Sequence, residues 1–459
     1  MTNLNGTIAA IATPPGKGGV ALIRVSGEQA FAVAEACFVP SVGGTPLSKR
    51  APRTAIRGDV VLDGEHIDDG LAYLFPAPHS YTGEDTVEIC CHGGLLVTRT
   101  VLEALLCSGA RMAEAGEFTR RAYLNGKLSL TEAEAIGDLL EASSRGQIKL
   151  ASRESRTRLS HVLGELHDEL VLLISTLYAS IDYPEEDLAD LTNEELMERL
   201  GALDAKISAL SKTYNTGRTI SEGIATVICG KPNVGKSSLY NLLCCEDVAI
   251  VTDIAGTTRD VLERTVALGD VTLRLCDTAG LRDTDDAVEQ IGVERSRSKM
   301  EESELVFAVF DGSSPLTQED LDLIDTLKGT PATVVAIINK CDLPQCDMGA
   351  IDNAFDTVLR LSCKESDPAP LRDTVTGLFV DGNIRVGYDA IISSARQFSA
   401  LTRAQNLISS TISALKMGLP ADVASSDLEL ALGALSELDG RAVSESIVSS
   451  IFSHFCVGK

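Results

Sequence analysis

The chain has no apolar run approaching about 18 residues, which excludes a helical membrane span. It also lacks a secretory apolar h-region and a paired CxxC set. Its 12 cysteines, adjacent at 90/91 and 244/245, therefore read as reduced thiols of a cytoplasmic protein rather than as disulfides or metal ligands. Basic residues are scarce: 40 Lys and Arg stand against 66 Asp and Glu, for a formal net charge of −26. RNA affinity is built mainly on cations that neutralise phosphates. The average surface repels such a backbone, so action on RNA requires a local basic patch or a partner. The peptide Cys456-Val457-Gly458-Lys459 places a cysteine where a prenylation signal would. Gly458 is not aliphatic and Lys459 is not a usual terminal residue for that signal, which argues against lipidation.

At 459 residues the chain can hold roughly two to four domains, each with its own core. Residues 1–125 read as mixed α/β. Strands are expected at 8–11, 20–25 and 86–91, a hairpin around Asp63-Gly64 within 59–75, and a helix at 95–106. From Ser129 the periodicity turns helical, with capping boxes at Ser129/Glu132 and Thr192/Glu195, and Pro184 interrupts the run. This first helical part spans 126–217. A short polar connection at 217–223 leads into a domain at 218–378. There, strand candidates at 224–229, 264–268, 272–276, 306–311, 333–339 and 357–361 alternate with helical stretches, the pattern of a doubly wound, mostly parallel sheet. Residues 379–459 are helical again, broken at Pro420 and Gly440. The expected fold is thus α/β and α: one helical domain with an α/β domain inserted, preceded by an α+β domain.

Gly230-Lys-Pro-Asn-Val-Gly-Lys-Ser-Ser238 follows the apolar strand and fits Gly, four residues, Gly-Lys-Ser/Thr. Such a loop wraps backbone N–H groups, here from Asn233, Val234, Gly235, Lys236, Ser237 and Ser238, around polyphosphate at a helix N-terminus. Lys236 is expected on the β/γ-phosphates and the Ser237 hydroxyl on Mg²⁺. Between the loop and Asp277 lies a switch-like segment: Thr252, Asp253, Ile254, Ala255, Gly256, Thr257 and Thr258, with Thr258 expected on Mg²⁺. Asp277, Thr278, Ala279 and Gly280 end a strand near the metal and γ-phosphate. Asn339, Lys340 and Asp342 end another, where a carboxylate can accept from guanine N1–H and its 2-amino group. Ser362 belongs to a loop over the base. Four motifs in this order on strand ends point to GTP. Leu281 stands where Ras-type GTPases carry a water-orienting glutamine, and leucine cannot polarise water. Glu289 and Glu294 are the nearby alternatives.

Beyond these motifs the chain carries Thr13-Pro-Pro-Gly-Lys-Gly-Gly19, Tyr81-Thr-Gly-Glu-Asp85, Gly116-Glu-Phe-Thr119, Leu124-Asn-Gly-Lys127, Gly256-Thr-Thr-Arg-Asp260 and Phe455-Cys-Val-Gly-Lys459. On these it resembles, over essentially its whole length, the MnmE (TrmE) family of tRNA-modification GTPases. The resemblance implies a folate-binding N-terminal domain that also makes a constitutive homodimer, and a flavoprotein partner, MnmG (GidA). It implies installation of a (carboxymethyl)aminomethyl group on C5 of wobble uridine, with a one-carbon unit from 5-formyl- or 5,10-methylene-tetrahydrofolate. The tRNA would be shared with the partner or held mainly by it. K⁺ would be bound by Asn233, Thr252, Ile254 and Thr257 and stimulate hydrolysis as G domains pair. Glu289 would orient water, with Lys236 and Thr258 as its catalytic companions. Arg24, Glu88, Lys127 and Lys459 would hold the folate, with Cys456 close enough for chemistry.

Two rivals stay open at this level. A ribosome-assembly switch shares the Asn-containing loop, but a basic RNA-binding appendage is expected of it. A folate enzyme with a merely structural G domain has no need of intact Lys236, Ser237, Thr258 and Asp277.

Overall fold

A computed structural model describes residues 6–43, 45–182, 192–244, 264–275, 303–364, 367–419, 421–440, 445–453 and 455–458. The chain gathers into two compact units, one of residues 1–137 with 436–459 and one of residues 138–435. Packing thus groups 436–459 with the first unit, whereas periodicity alone reads 379–459 as one helical stretch.

The first unit is built on seven strands: β1 (Ile8–Ile11), β2 (Val20–Ser26), β3 (Phe38–Pro40), β4 (Ala55–Leu62), β5 (Glu65–Phe75), β6 (Thr86–His92) and β7 (Arg111–Met112). Their order is β3-β4-β5-β6-β2-β1-β7, antiparallel throughout except β1 with β7. Asp63 and Gly64, at φ 51° and 81°, make the two-residue turn that joins β4 to β5. Strand side chains alternate between faces. Ile23, Val25, Val60, Ala72, Leu74, Val87 and Ile89 form one core with Val33 and Val101 of the helices Ala30–Cys37 and Leu95–Cys107. The opposite parity carries Arg24, Tyr73 and Glu88.

Glu117 opens the helix Glu117–Leu124 and is only 1% exposed. It accepts from Arg111 and from Arg121, whose Nη2 reaches it at 2.9 Å. Arg121 also donates to Glu84 Oε2 at 2.9 Å and to the Gly6 carbonyl, and Glu84 accepts from Ser26. A buried carboxylate survives only when so paired. Burial pushes the Glu117 carboxyl up, but hydrogen bonds from Arg111, the Glu114 N–H and Arg121 overcome this and hold it below its usual range.

Residues 436–458 pack within this same unit. Val448 and Phe452 of the helix Glu445–Ser453 bury against Leu130 and Ala133. The Tyr123 hydroxyl donates to the Gly440 carbonyl at 2.7 Å. Val457 bridges Ala115, and a side chain on Gly116 (φ 64°) would come within 2.6 Å of the Phe452 carbonyl.

The second unit holds β8 (Ile224–Cys229), β9 (Arg264–Leu268), β10 (Val271–Leu275), β11 (Leu305–Asp311), β12 (Thr333–Asn339) and β13 (Val358–Arg360), in the order β13-β12-β11-β8-β10-β9. All neighbours are parallel except β9 and β10. The apolar runs of β11 and β12 are buried on both faces, as a central parallel sheet requires. Long helices Arg153–Asp182, Asn193–Lys212 and Ala395–Lys416 make the helical part; the second is capped by Thr192 and Glu195 as the sequence suggests. One expectation is overturned. The segment read as a polar connection at 217–223 is largely helix, Tyr214–Glu222, ended by Gly223 at φ 76°. Thr216, Thr219 and Ile220 are buried, and Gly217 is needed because a Cβ would run into the Ile392 carbonyl.

The Glu117 cluster yields a measurable consequence. Glu117→Gln is expected to cost about 3 kcal/mol in denaturant unfolding, the low end for breaking a buried pair, because Arg121 keeps Glu84. With its folded pKa lowered, Glu117 contributes fully above the ordinary value of 4.5 and loses that contribution as pH falls toward the folded value. The variant's stability should accordingly fall less than the wild type's in that window.

Candidate functional site

Parallel strands leave their C-terminal ends along one rim, and β8, β11 and β12 each deliver a polar segment there. After β8 the chain turns through Gly230 (φ 144°), Asn233 (φ 63°) and Gly235 (φ 108°) into the helix Lys236–Cys244. A Cβ on Gly230 would run into the Val309 carbonyl, and one on Gly235 into the Asn339 amide. Asn233 is the one non-glycine in the left-handed region here, a conformation asparagine tolerates, and it is exposed. Val234, 2% exposed, and Leu239 and Leu243 pin the loop and helix to the core. The Lys236 ammonium donates to the Gly230 and Lys231 carbonyls at 2.9 and 2.7 Å, so it lies across the mouth of the loop.

Asn339, 3% exposed, ties this loop to the one at Cys363. Its amide donates to the Val234 carbonyl at 2.8 Å and its oxygen accepts from the Cys363 N–H at 2.9 Å. Lys340, at φ 62°, pairs with Asp311 at 2.6 Å, while Ser362 is buried and Asp342 exposed. Burial opposes ionisation of Asp311, but bonds from Lys340 and Ser313 hold its carboxyl below the usual range. Asp311 escaped the sequence reading; its position as the last residue of an apolar strand on this rim is the signal that could have found it. Asn233, Val234, Gly235, Lys236, Ser237, Ser238, Asn339, Lys340, Asp342 and Ser362 thus fall on one rim of one sheet. The expected residues Thr252 through Thr258, Asp277 through Gly280, Leu281, Glu289, Glu294 and Lys459 lie outside the described residues.

A second constellation occupies the first unit. Arg24 on β2 stands opposite Glu88 on β6, and its Nε donates to Glu88 Oε1 at 2.8 Å, both side chains being less than one-fifth exposed. The guanidinium lies 5.1 Å from the Tyr81 ring centre and 5.6 Å from that of Phe118. The Tyr81 hydroxyl is hydrogen-bonded with Thr119. The pattern of residues gave no signal for Tyr81 and Phe118 beside Arg24; the loop between β5 and β6 and the helix Glu117–Leu124, tied by the Tyr81–Thr119 hydrogen bond, bring them there. Lys127 donates to the Pro78 carbonyl and packs along the loop at Gly83. Cys456 is exposed, next to Val457 on the segment that bridges Ala115, and Gly458 is pressed to the carbonyl of Ile11. Phe118 is fully buried with Ile8, Ala10 and Ala113. The accessible groups are thus the Glu88 carboxylate, the Arg24 guanidinium and the half-buried Tyr81 ring, an acceptor, a donor and one stacking face for a flat heterocycle.

With this geometry in view, comparisons with known proteins are specific. Residues 130–456 match the family model described as "MnmE helical domain", and residues 7–127 match "GTP-binding protein TrmE N-terminus". The chain is 38% identical over 462 residues to the tRNA modification GTPase MnmE of Clostridioides difficile, covering 99% of this chain and 100% of that one. It is 40% identical to the protein of the same name from Lacticaseibacillus paracasei, over 99% and 98% of the two chains. The protein of that name from Thermotoga maritima is 39% identical, over 99% and 100%.

Because one side chain joins both loops, Asn339→Ala is expected to lower affinity for a labelled guanine nucleotide on the order of tenfold or more. Leaving one buried hydrogen-bonding group unmet costs about 1–3 kcal/mol, and two are left here. Unchanged affinity in equilibrium titration would remove Asn339 from the site.

Proposed function

The chain belongs to the MnmE family of tRNA-modification GTPases and hydrolyses GTP in that service, and from this premise we propose a K⁺-stimulated cycle tied to folate-dependent modification of wobble uridine. The observation that carries the nucleotide half is the Asn339 bridge, which makes phosphate grip and base recognition one rigid body. Ser237, at the start of the helix after the loop, and Thr258 would ligate Mg²⁺. The cation reading rests on Asn233: its left-handed backbone and exposed amide leave an oxygen available beside the loop. A cation held there, with Thr252, Ile254 and Thr257, supplies positive charge beside the β/γ-phosphates, the task an arginine performs in other GTPases. Glu289 takes the water-orienting role that Leu281 cannot fill. Pairing of G domains across a homodimer would complete the hydrolytic site.

The modification half rests on the Arg24–Glu88 pair between Tyr81 and Phe118. Glu88 accepts from the amino and ring N–H donors of a pterin, the Tyr81 ring flanks it while buried Phe118 backs Arg24, and Lys127 and Lys459 hold the glutamyl tail. Cys456 sits on the neighbouring segment as the candidate for chemistry at the one-carbon unit. A flavoprotein partner, MnmG, would supply the redox step and much of the tRNA grip, and the pair would work in the cytoplasm. The proposed division of labour follows the limits 1–125, 126–217, 218–378 and 379–459.

GTP turnover is expected to rise on the order of 100-fold in KCl over NaCl at equal ionic strength, the scale of one preorganised charge-stabilising group. Asn233→Ala should lose that stimulation while keeping nucleotide affinity. Equal turnover of the wild type in the two salts would refute the cation assignment.

A further inference from the structure

The stretch of sequence between Glu35 and Asp59 contains Lys49, Arg50, Arg53 and Arg57 and no Asp or Glu; no other stretch between consecutive acidic residues carries as many cations. In a chain of net charge −26 this is a local reversal of sign. The segment runs from the edge strand β3, through a short turn at Leu47–Lys49, into β4. Leu47, 1% exposed, anchors the turn in the core.

The hydrogen bonds around the segment determine which cations are available. Arg50 is spent as a staple, donating to the carbonyls of Thr45, Val42 and Gly43 and so closing the preceding loop. The adjacent carboxylate, Glu35, is spent too, accepting from the N–H and hydroxyl of Ser48 at 2.8 Å each. Lys49 and Arg53 are exposed and make no ion pair among the described residues. Arg57, its side chain 74% exposed, has a single contact with Asp69 at 3.5 Å, a solvated pair that a phosphate can replace. Arg53 also sits at φ 59°, its N–H donating to the Leu74 carbonyl at 2.8 Å. Glycine would take that turn without strain, yet the position holds a long cation. A strained backbone kept in place for its side chain points to use of that side chain.

We propose that Lys49, Arg53 and Arg57 form a docking surface for the phosphate backbone of tRNA. The inference rests on tRNA being the molecule this enzyme acts on. Exposed cations on the segment that leads into β4, and on β4 itself, neutralise phosphates without reading bases, so they set affinity and orientation rather than sequence. The acidic remainder of the surface repels RNA and steers it to this segment.

The test is equilibrium binding of a tRNA transcript to the full chain over a range of KCl concentrations. The triple variant Lys49→Ala/Arg53→Ala/Arg57→Ala is expected to bind at least about tenfold more weakly at low salt. Its log–log salt slope should fall by about 2–3, near one for each phosphate left without its cation. GTP turnover without tRNA should stay as in the wild type, reporting an intact fold. Arg53→Gly relieves the backbone while removing one charge; it should keep or raise the melting temperature and still lower the slope by about 1. If the wild type binds tRNA and the triple variant matches its affinity and slope, the surface assignment fails. Unchanged tRNA binding with lost binding of an acidic protein partner would overturn it as well. If the wild type itself holds no tRNA, direct contact between chain and tRNA fails first.

Discussion

The nucleotide rim depends on a pair of hydrogen bonds made by one buried amide. Asn339 leaves the end of β12 and satisfies a carbonyl of the phosphate loop with one atom and an N–H of the base-side loop with the other. Neither of these two backbone groups takes part in the sheet ladder, and unpaired burial would cost each of them dearly. The side chain therefore fixes the spacing between the loop after β8 and the loop after β13. The Gly235 backbone can lie against it only because glycine has no Cβ. Asp311 and Lys340 add a second, ionic tie between neighbouring strand ends.

The first unit solves a different problem with a similar device. Two helices cover one face of its sheet, and the other, where Phe118 of the helix Glu117–Leu124 packs on Ile8 and Ala10, bears Arg24 and Glu88, charges that would be costly to bury singly. They neutralise one another beneath two aromatic rings and remain partly accessible. Deeper in, Arg121 gathers Glu84 and Glu117, drawn from two sequence markers, onto one guanidinium. Those markers thus include residues that hold the loop and helix in place around the Arg24 pair, and Tyr81 and Phe118, the rings that wall it, come from the same two peptides.

Much of this was legible in the sequence where the governing physics is local. Asp63-Gly64 fixes a hairpin because both positions need positive φ, and Thr192/Glu195 fixes a helix start because the two residues satisfy each other's backbone. The loop after β8 is legible because its glycines and lysine stand at a fixed local spacing. The helix Tyr214–Glu222 was not, because Gly217 looks like a breaker until the Ile392 carbonyl that requires it is known. Likewise Asn339 is recognisable as a strand-end polar residue, but its partners are 105 and 24 residues away along the chain. Asp311 acquires meaning only from its place at a strand end beside Lys340, and Tyr81 and Phe118 only from the loop and helix that cross the sheet over Arg24.

The return of residues 436–458 to the first unit also sets a timetable. Their partners, Leu130, Ala133, Ala115 and Gly116, are made early, and the 298 residues from 138 to 435 are translated in between. At roughly 5–20 residues per second the wait is about 15–60 s. Throughout it, the seat on Leu130 and Ala133 lacks the two side chains, Val448 and Phe452, that fill it in the folded protein. Synthesis that stalls late leaves the second unit complete and the first unfinished.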